Sequence, residues 1–246
     1  MYVYGLVPAD AQLPSGLKGL GPSGKVSTVV HGDLAALVGD VPTDRPLGTR
    51  DDLIAHETVV DTVAAETAVL PMRFPAVVEE DGVVEELLAP HHDHFVAALR
   101  DLEGCTQYTL KGRYEEEPVL GEVLEQRPEI RELQQEIHGL PEEATYHQRL
   151  RLGELVVQAL EERRDLDADE LLGALDQHAV DAVARTPGQP DQVVDAAFLV
   201  ERAQAQAFED AVEEQGKRLH GRVRLRLLGP LAPYDFVPGT EDQWDS

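Results

Sequence analysis

Three groups of residues in this chain have types and spacings that could do chemistry. His91-His92-Asp93-His94 sets three imidazoles beside a carboxylate, and neutral imidazole is a good ligand for a borderline transition metal. On a helix, His91 and His94 share a face, His92 turns away, and Asp93 does not complete a closed site. No His-x-x-x-His pair with a Glu base is present, as a zinc hydrolase needs. The cluster therefore reads as a helix start rather than a metal centre. His56-Glu57 could serve in acid–base catalysis near neutral pH. His56, however, falls on an apolar stripe with Leu53, Val60 and Val63, a setting that suits a hydrogen-bonded core histidine. Arg222, Arg224 and Arg226 alternate with apolar residues, so strand geometry puts three cations on one face. Such a face could hold phosphates or RNA. No aromatic platform is interleaved with it, and acidic helices of the same chain or of a partner are the simpler match.

No phosphate loop, dinucleotide fingerprint or nucleophile elbow is found. With 47 Asp plus Glu against 21 Lys plus Arg, the formal net charge is −26. Such a field repels phosphates and anionic lipid, so neither nucleic acid nor a membrane is expected as a partner. The acidity suits solubility, including that of a protein handling a very apolar partner. The expectation is no catalytic residue, no cofactor and no metal. The single Cys105 excludes an intramolecular disulfide and reads as core rather than nucleophile. Met1 to Val7 lack the basic region of a signal peptide, and no window approaches the ~18 apolar residues of a membrane helix. A cytoplasmic location is expected.

The elements that must position these residues can be traced along the chain. Residues 2–7 and 26–30 read as strands, and 34–38 as a further strand or a short helix. Thr49 is an expected helix N-cap, with Asp51 and Asp52 in the first turn. Residues 68–78 read as a largely buried strand. Two helical pieces broken at Pro90 follow, then a strand over 105–112. From about residue 115 three helices are expected, over 118–137, 141–165 and 167–184, with Asp167 capping the third. Thr186-Pro187-Gly188-Gln189-Pro190 breaks helix. Residues 193–200, 203–219 and 222–228 read as a β-α-β unit, and 239–246 as an acidic, disordered tail. The expected fold is α+β in two domains, 1–114 and 115–238. The second carries the helical extension 118–184 and the β-α-β unit 193–228, which suits a ferredoxin-like sheet.

Four segments carry a family resemblance. The basic strand Arg222 to Leu228 ends in Gly229-Pro230-Leu231-Ala232-Pro233-Tyr234-Asp235-Phe236. This resembles the C-terminal Gly-Pro-x-x-Pro-Tyr-x-Phe signature of the gas vesicle accessory proteins of the F/L family. Tyr2-Val3-Tyr4-Gly5 is similar to the family's aromatic first strand closed by Gly. The helix bearing His56 leads into Leu70-Pro71-Met72-Arg73-Phe74, close to the family's Leu-Pro-x-Arg-Phe strand, although Pro75 stands where the family usually has Gly. Tyr108-Thr109-Leu110-Lys111-Gly112 sits where the family has a strand ending in Lys. The resemblance runs in order from residue 1 to about 237. It implies a two-domain α+β architecture with a modified ferredoxin-like domain. It also implies a non-catalytic role in gas vesicle assembly, binding the apolar shell subunit (protein A type) or other accessory proteins at the gas vesicle. The motif residues, Tyr4, Gly5, His56, Pro71, Arg73, Phe74, Lys111, Gly229, Pro230, Pro233, Tyr234 and Phe236, are expected to be structural. His56 is expected to pack on the Leu70–Phe74 strand, and the terminal clasp to close a domain edge. The docking surface is expected in the helical extension. The alternative is a ferredoxin-like regulatory module that binds a small ligand, and a third reading is a His-based metalloenzyme.

Overall fold

The structure, a computed structural model, describes residues 1–186, 188–189 and 191–237. Pro187 and Pro190 of the expected helix break, and the expected acidic tail, lie outside the described residues. The chain forms two compact units. The first comprises Met1–Tyr108, Phe198–Ala205 and the chain from Leu228, and the second Thr109–Ala197 and Gln206–Leu227.

In the first unit, β1 (Tyr2–Pro8), β2 (Val26–His31), β3 (Leu34–Gly39) and β4 (Leu70–Pro71) make an antiparallel sheet ordered β2-β3-β1-β4. Residues 34–38, left open by the sequence, are strand. Both faces of β3 are buried, and its side chains alternate between two cores. Leu34, Ala36 and Val38 join Leu87 and Leu88 of a π-helical segment (Val83–Leu88) and Leu99 of α2 (His92–Asp101). Ala35 and Leu37 meet Val59, Val60 and Val63 of α1 (Arg50–Ala64). β1 keeps step with β3 only through a bulge. Its register passes from Val3↔Val38 to Gly5↔Leu37, leaving Tyr4 as the extra residue. The insertion sends Leu6 to the Val3 face and Val7 to the Tyr2 and Tyr4 face, as a one-residue shift must.

The expected cap of α1 is present. Thr49 Oγ1 accepts from Asp52 N–H at 3.2 Å, and Asp52 Oδ2 accepts from Thr49 N–H at 3.0 Å. This is a capping box closed by Asp. Arg45 adds a two-pronged ion pair to the buried Asp52 and holds its carboxyl well below the usual range. The expected strand over 68–78 is shorter than its hydrophobicity suggests. Only Leu70–Pro71 pairs with β1, and Val77 alone bridges back to Tyr2. Pro71 and Pro75 lack the N–H groups that a continuous ladder requires.

The second unit's sheet is ordered β6-β7-β5-β8, from β5 (Cys105–Tyr114), β6 (Asp181–Ala184), β7 (Gln192–Glu201) and β8 (Val223–Leu231). Residues 105–108 of β5, 198–201 of β7 and 228–231 of β8 belong to the first unit. Helices α3 (Glu116–Gln126), α4 (Pro128–Ile137) and α5 (Tyr146–Asp176) lie between β5 and β6, and α6 (Ala205–Arg218) between β7 and β8. The order strand, helix, strand, strand, helix, strand is ferredoxin-like, with three helices in the first crossover. The expected helix boundaries are corrected in three places. The run 118–137 breaks at Pro128, whose missing N–H suits a helix start. Residues 141–165 and 167–184 do not form two helices; α5 runs unbroken through Asp167, which is a buried mid-helix residue and not a cap. Residues 181–184 are strand.

Gly5 faces Pro71 across the β1–β4 pair, and a Cβ there would lie 2.7 Å from the Leu70 carbonyl oxygen. Gly5→Ala is expected to cost about 1–3 kcal/mol through overpacking, read as a lower urea midpoint at unchanged slope. A midpoint equal to the parent's would contradict this packing.

Candidate functional site

The chemistry-bearing residues of the first unit converge on one imidazole. His56 sits mid-way along α1, 1% exposed, on the face with Val59, Val60 and Val63. Leu53, which the sequence placed on the same stripe, is 40% exposed. The His56 Nδ1 lies 2.9 Å from the Tyr2 hydroxyl, and Nε2 lies 3.0 Å from both Met72 O and the Tyr234 hydroxyl. One tautomer meets all three demands: Tyr2 donates to Nδ1, and Nε2–H is shared by Met72 O and the Tyr234 oxygen. Around it, Tyr4 stacks at 5.8 Å between centroids, and Tyr2 and Phe74 present edges at 5.7 and 5.8 Å.

The C-terminal clasp is held against this cluster from two elements. From α1, Asp61 Oδ1 accepts from Ala232 N–H at 2.8 Å, and His56 engages Tyr234. From β5, Gln107 Nε2 donates to Asp235 Oδ2 at 2.6 Å, and Asp235 N–H donates back to Gln107 Oε1 at 3.1 Å. Thr106 Oγ1 donates to Leu231 O at 3.2 Å. Ala232 and Pro233 are buried, with Tyr234 packed beside the His56 face and Phe236 against the opposite core. Gly229 has a φ of 149°, and a Cβ there would sit 2.5 Å from Tyr108 Cδ1, so no other residue fits the entry to the clasp. Pro230 is exposed. Arg202 Nη2 donates to Ala64 O and Thr67 O, at 2.6 and 3.2 Å, and so caps the α1 C-terminus.

The structure thus brings Tyr4, Gly5, His56, Pro71, Phe74, Pro233 and Tyr234 into one neighbourhood. Arg73 is exposed, and Lys111 lies in the second unit, 3.2 Å from Asp195. The histidine run does not converge. His92 bonds Asp93 at 3.0 Å and receives the Asp33 amide at 3.4 Å, and among the described residues no group of three or more His, Cys, Asp or Glu could hold a metal. The Arg222–Arg224–Arg226 face is corrected. Arg222 precedes β8 and reaches the buried Asp167 of α5, which also accepts from Tyr114 Oη at 2.6 Å and Arg163 Nε at 3.2 Å. Asp61, Gln107 and Asp235 escaped the sequence reading. The polar residues Thr106, Gln107 and Thr109, interleaved with Cys105, Tyr108 and Leu110 at the start of β5, were the available signal, since buried polar groups require partners.

Residues 1–238 match the family model described as gas vesicle synthesis protein GvpL/GvpF. The chain belongs to that family. It is 38% identical over 239 residues to gas vesicle protein F of Streptomyces sp. (strain CB03234), covering 96% of this chain and 98% of the relative. It is 32% identical over 257 residues to gas vesicle protein L of the same strain, covering 98% and 94%. The crystal structure of the gas vesicle protein GvpF from Anabaena sp. PCC7120 superposes with a TM-score of 0.82 at 23% identity, covering 97% of this chain and 98% of that one. The GvpL/GvpF fold, α+β in two parts, is therefore the fold of this chain. Among the described residues no helix is long and apolar enough to cross a membrane.

Burial holds the His56 imidazole below its ordinary value of 6.5, against the opposing bond to Met72 O. Burial also pushes the Asp61 carboxyl above its ordinary 3.8, against the Ala232 amide. An imidazole harder to protonate in the fold than in the unfolded chain makes stability fall as pH drops from 6.5 through the lower folded value. Asp61 acts in the opposite sense, its contribution being full below 3.8 and declining as pH rises through its raised folded value. Urea unfolding between about pH 7.5 and pH 5 should show stability falling with acidification, and His56→Gln should flatten that slope. An unchanged slope in the variant would assign the dependence to other groups.

Proposed function

We propose that the protein acts in gas vesicle assembly by binding, without turnover, the apolar shell subunit, other gas vesicle accessory proteins, or both, and that it works at the gas vesicle from the cytoplasm. The observation that carries the reading is a line of apolar side chains left uncovered on α5. Tyr146, Leu150 and Val157 are 65%, 55% and 55% exposed. Gly153 lies between them with open space where a Cβ would be. The spacing of four, three and four residues keeps them on one side of the helix, and a partner helix could lie close over the glycine. Exposed apolar surface of this kind favours association, and the strongly acidic remainder of the chain favours keeping an apolar partner dispersed. Both His56 nitrogens have structural partners, which favours binding over acid–base catalysis.

Co-expression with a gas vesicle shell subunit, followed by pull-down and a solubility assay, tests this. The subunit is expected to stay in solution and co-purify at a defined ratio. Leu150→Glu with Val157→Glu is expected to weaken capture about tenfold or more, the scale on which buried interface anchors act. Aggregation of the subunit with nothing co-purifying would overturn direct shell binding. Capture unaffected by the double variant would move the docking surface off α5.

A further inference from the structure

The chain carries its charge unevenly, and the second unit's sheet is where cations gather. Val223 and Leu225 flank the site where a Gly112 Cβ would point, and Leu225 and Leu227 line a hollow with Val212 and Gly216 of α6. That face of the sheet is therefore the one α6 covers. Strand alternation places Lys111 and Arg113 of β5, and Arg224 and Arg226 of β8, on the opposite face. All four are exposed.

The two pairs also face each other. Glu115 N–H donates to Arg222 O at 2.8 Å, and β5 and β8 are antiparallel neighbours. Stepping two residues back on β5 and two forward on β8 sets Arg113 opposite Arg224, and the next step sets Lys111 opposite Arg226. Like charges directly across a strand pair are destabilising. The unit offsets part of this with Asp191 on Arg113 at 3.5 Å, Asp195 on Lys111 at 3.2 Å and Glu115 on Arg224 at 2.7 Å. Arg226 has no acidic partner among the described residues. In a chain of net charge −26, this two-by-two grid of exposed cations is paired at three corners and leaves the charge of Arg226 uncompensated on the sheet face.

We infer that this sheet face docks an acidic helix of a partner protein, whose carboxylates lie over β5 and β8. Cations two residues apart on a strand repeat about every 6.5–7 Å, and carboxylates at i and i+4 of a helix repeat about every 6 Å. A helix laid along the strands can thus meet both pairs in turn. A protein partner fits better than a nucleic acid. No aromatic side chain stands among the four cations to stack a base. The inference deepens the assembly reading and takes from it only that the protein works by binding.

The test uses the full chain, isotope-labelled for NMR, and an alanine-based helical peptide with Glu at i and i+4. Saturable shifts confined to β5 and β8 are expected, weakening as salt rises. They should be lost in Arg224→Glu/Arg226→Glu and reduced at least several-fold in the milder Arg224→Gln/Arg226→Gln, with both variants retaining the parent spectrum elsewhere. No saturable shift, or shifts on other elements, would overturn the inference. So would tighter binding at the same face of an oligothymidylate of equal charge, which would make it a nucleic-acid surface. Shell-subunit capture by the same variants reports on the assembly reading separately, because the α5 stripe is unchanged in them.

Discussion

A neutral, buried imidazole is the constraint on which the first unit depends. His56 is enclosed by Tyr2, Tyr4, Phe74 and Tyr234, and its two nitrogens tie three separate stretches of chain to α1. These are the first strand, the segment after β4, and the clasp that closes the unit. A buried polar group left without partners costs about 1–3 kcal/mol, so each of these segments must arrive in register for the others to be satisfied. The bulge at Tyr4 belongs to the same constraint. It lets Tyr2 and Tyr4 share the His56 face while Leu6 returns to the opposite core. Asp61 and Gln107 then fix the clasp from α1 and β5, which explains why its backbone needs so particular an entry at Gly229.

The second unit solves a different problem, that of holding charge. Asp167 is buried in the middle of a long helix, which would be costly for an unpaired carboxylate. Tyr114, Arg163 and Arg222 supply it with a donor and two cations from β5, α5 and the approach to β8. Breaking such a cluster by removing one partner is expected to be far more damaging than removing an exposed ion pair. The exposed faces of the unit then divide in character, with an apolar line on α5 and a cationic grid on the sheet. Under the proposed binding role, two chemically distinct surfaces would let the protein hold two unlike components at once.

What could be read from the residues was what local chemistry decides. The Thr49 cap, the placement of His56 on an apolar stripe, the β-α-β unit and the Gly-Pro clasp all carry signals within a few residues of themselves. What escaped depends on distant partners. Asp167 looks like a cap because Asp favours helix starts, and only Tyr114 and Arg222, far away in sequence, make it tolerable inside a helix. Arg222 looks like a strand residue sharing a face with Arg224, yet it lies just before the strand and turns to that carboxylate. The hydrophobic run over 68–78 promises a strand, but its two prolines leave a single short pairing. The exposed edge strand β6 has too few residues to announce itself against the long helix before it.

The most direct test of this account is a double-mutant cycle between His56 and Tyr234, with His56→Gln and Tyr234→Phe made singly and together and stability read by urea unfolding. If the imidazole is what latches the C-terminal clasp to α1, the two changes are coupled by about 1–3 kcal/mol, because each strands the other's partner. Additive effects within about 0.5 kcal/mol would show the two side chains acting independently, and would contradict the central place given to His56.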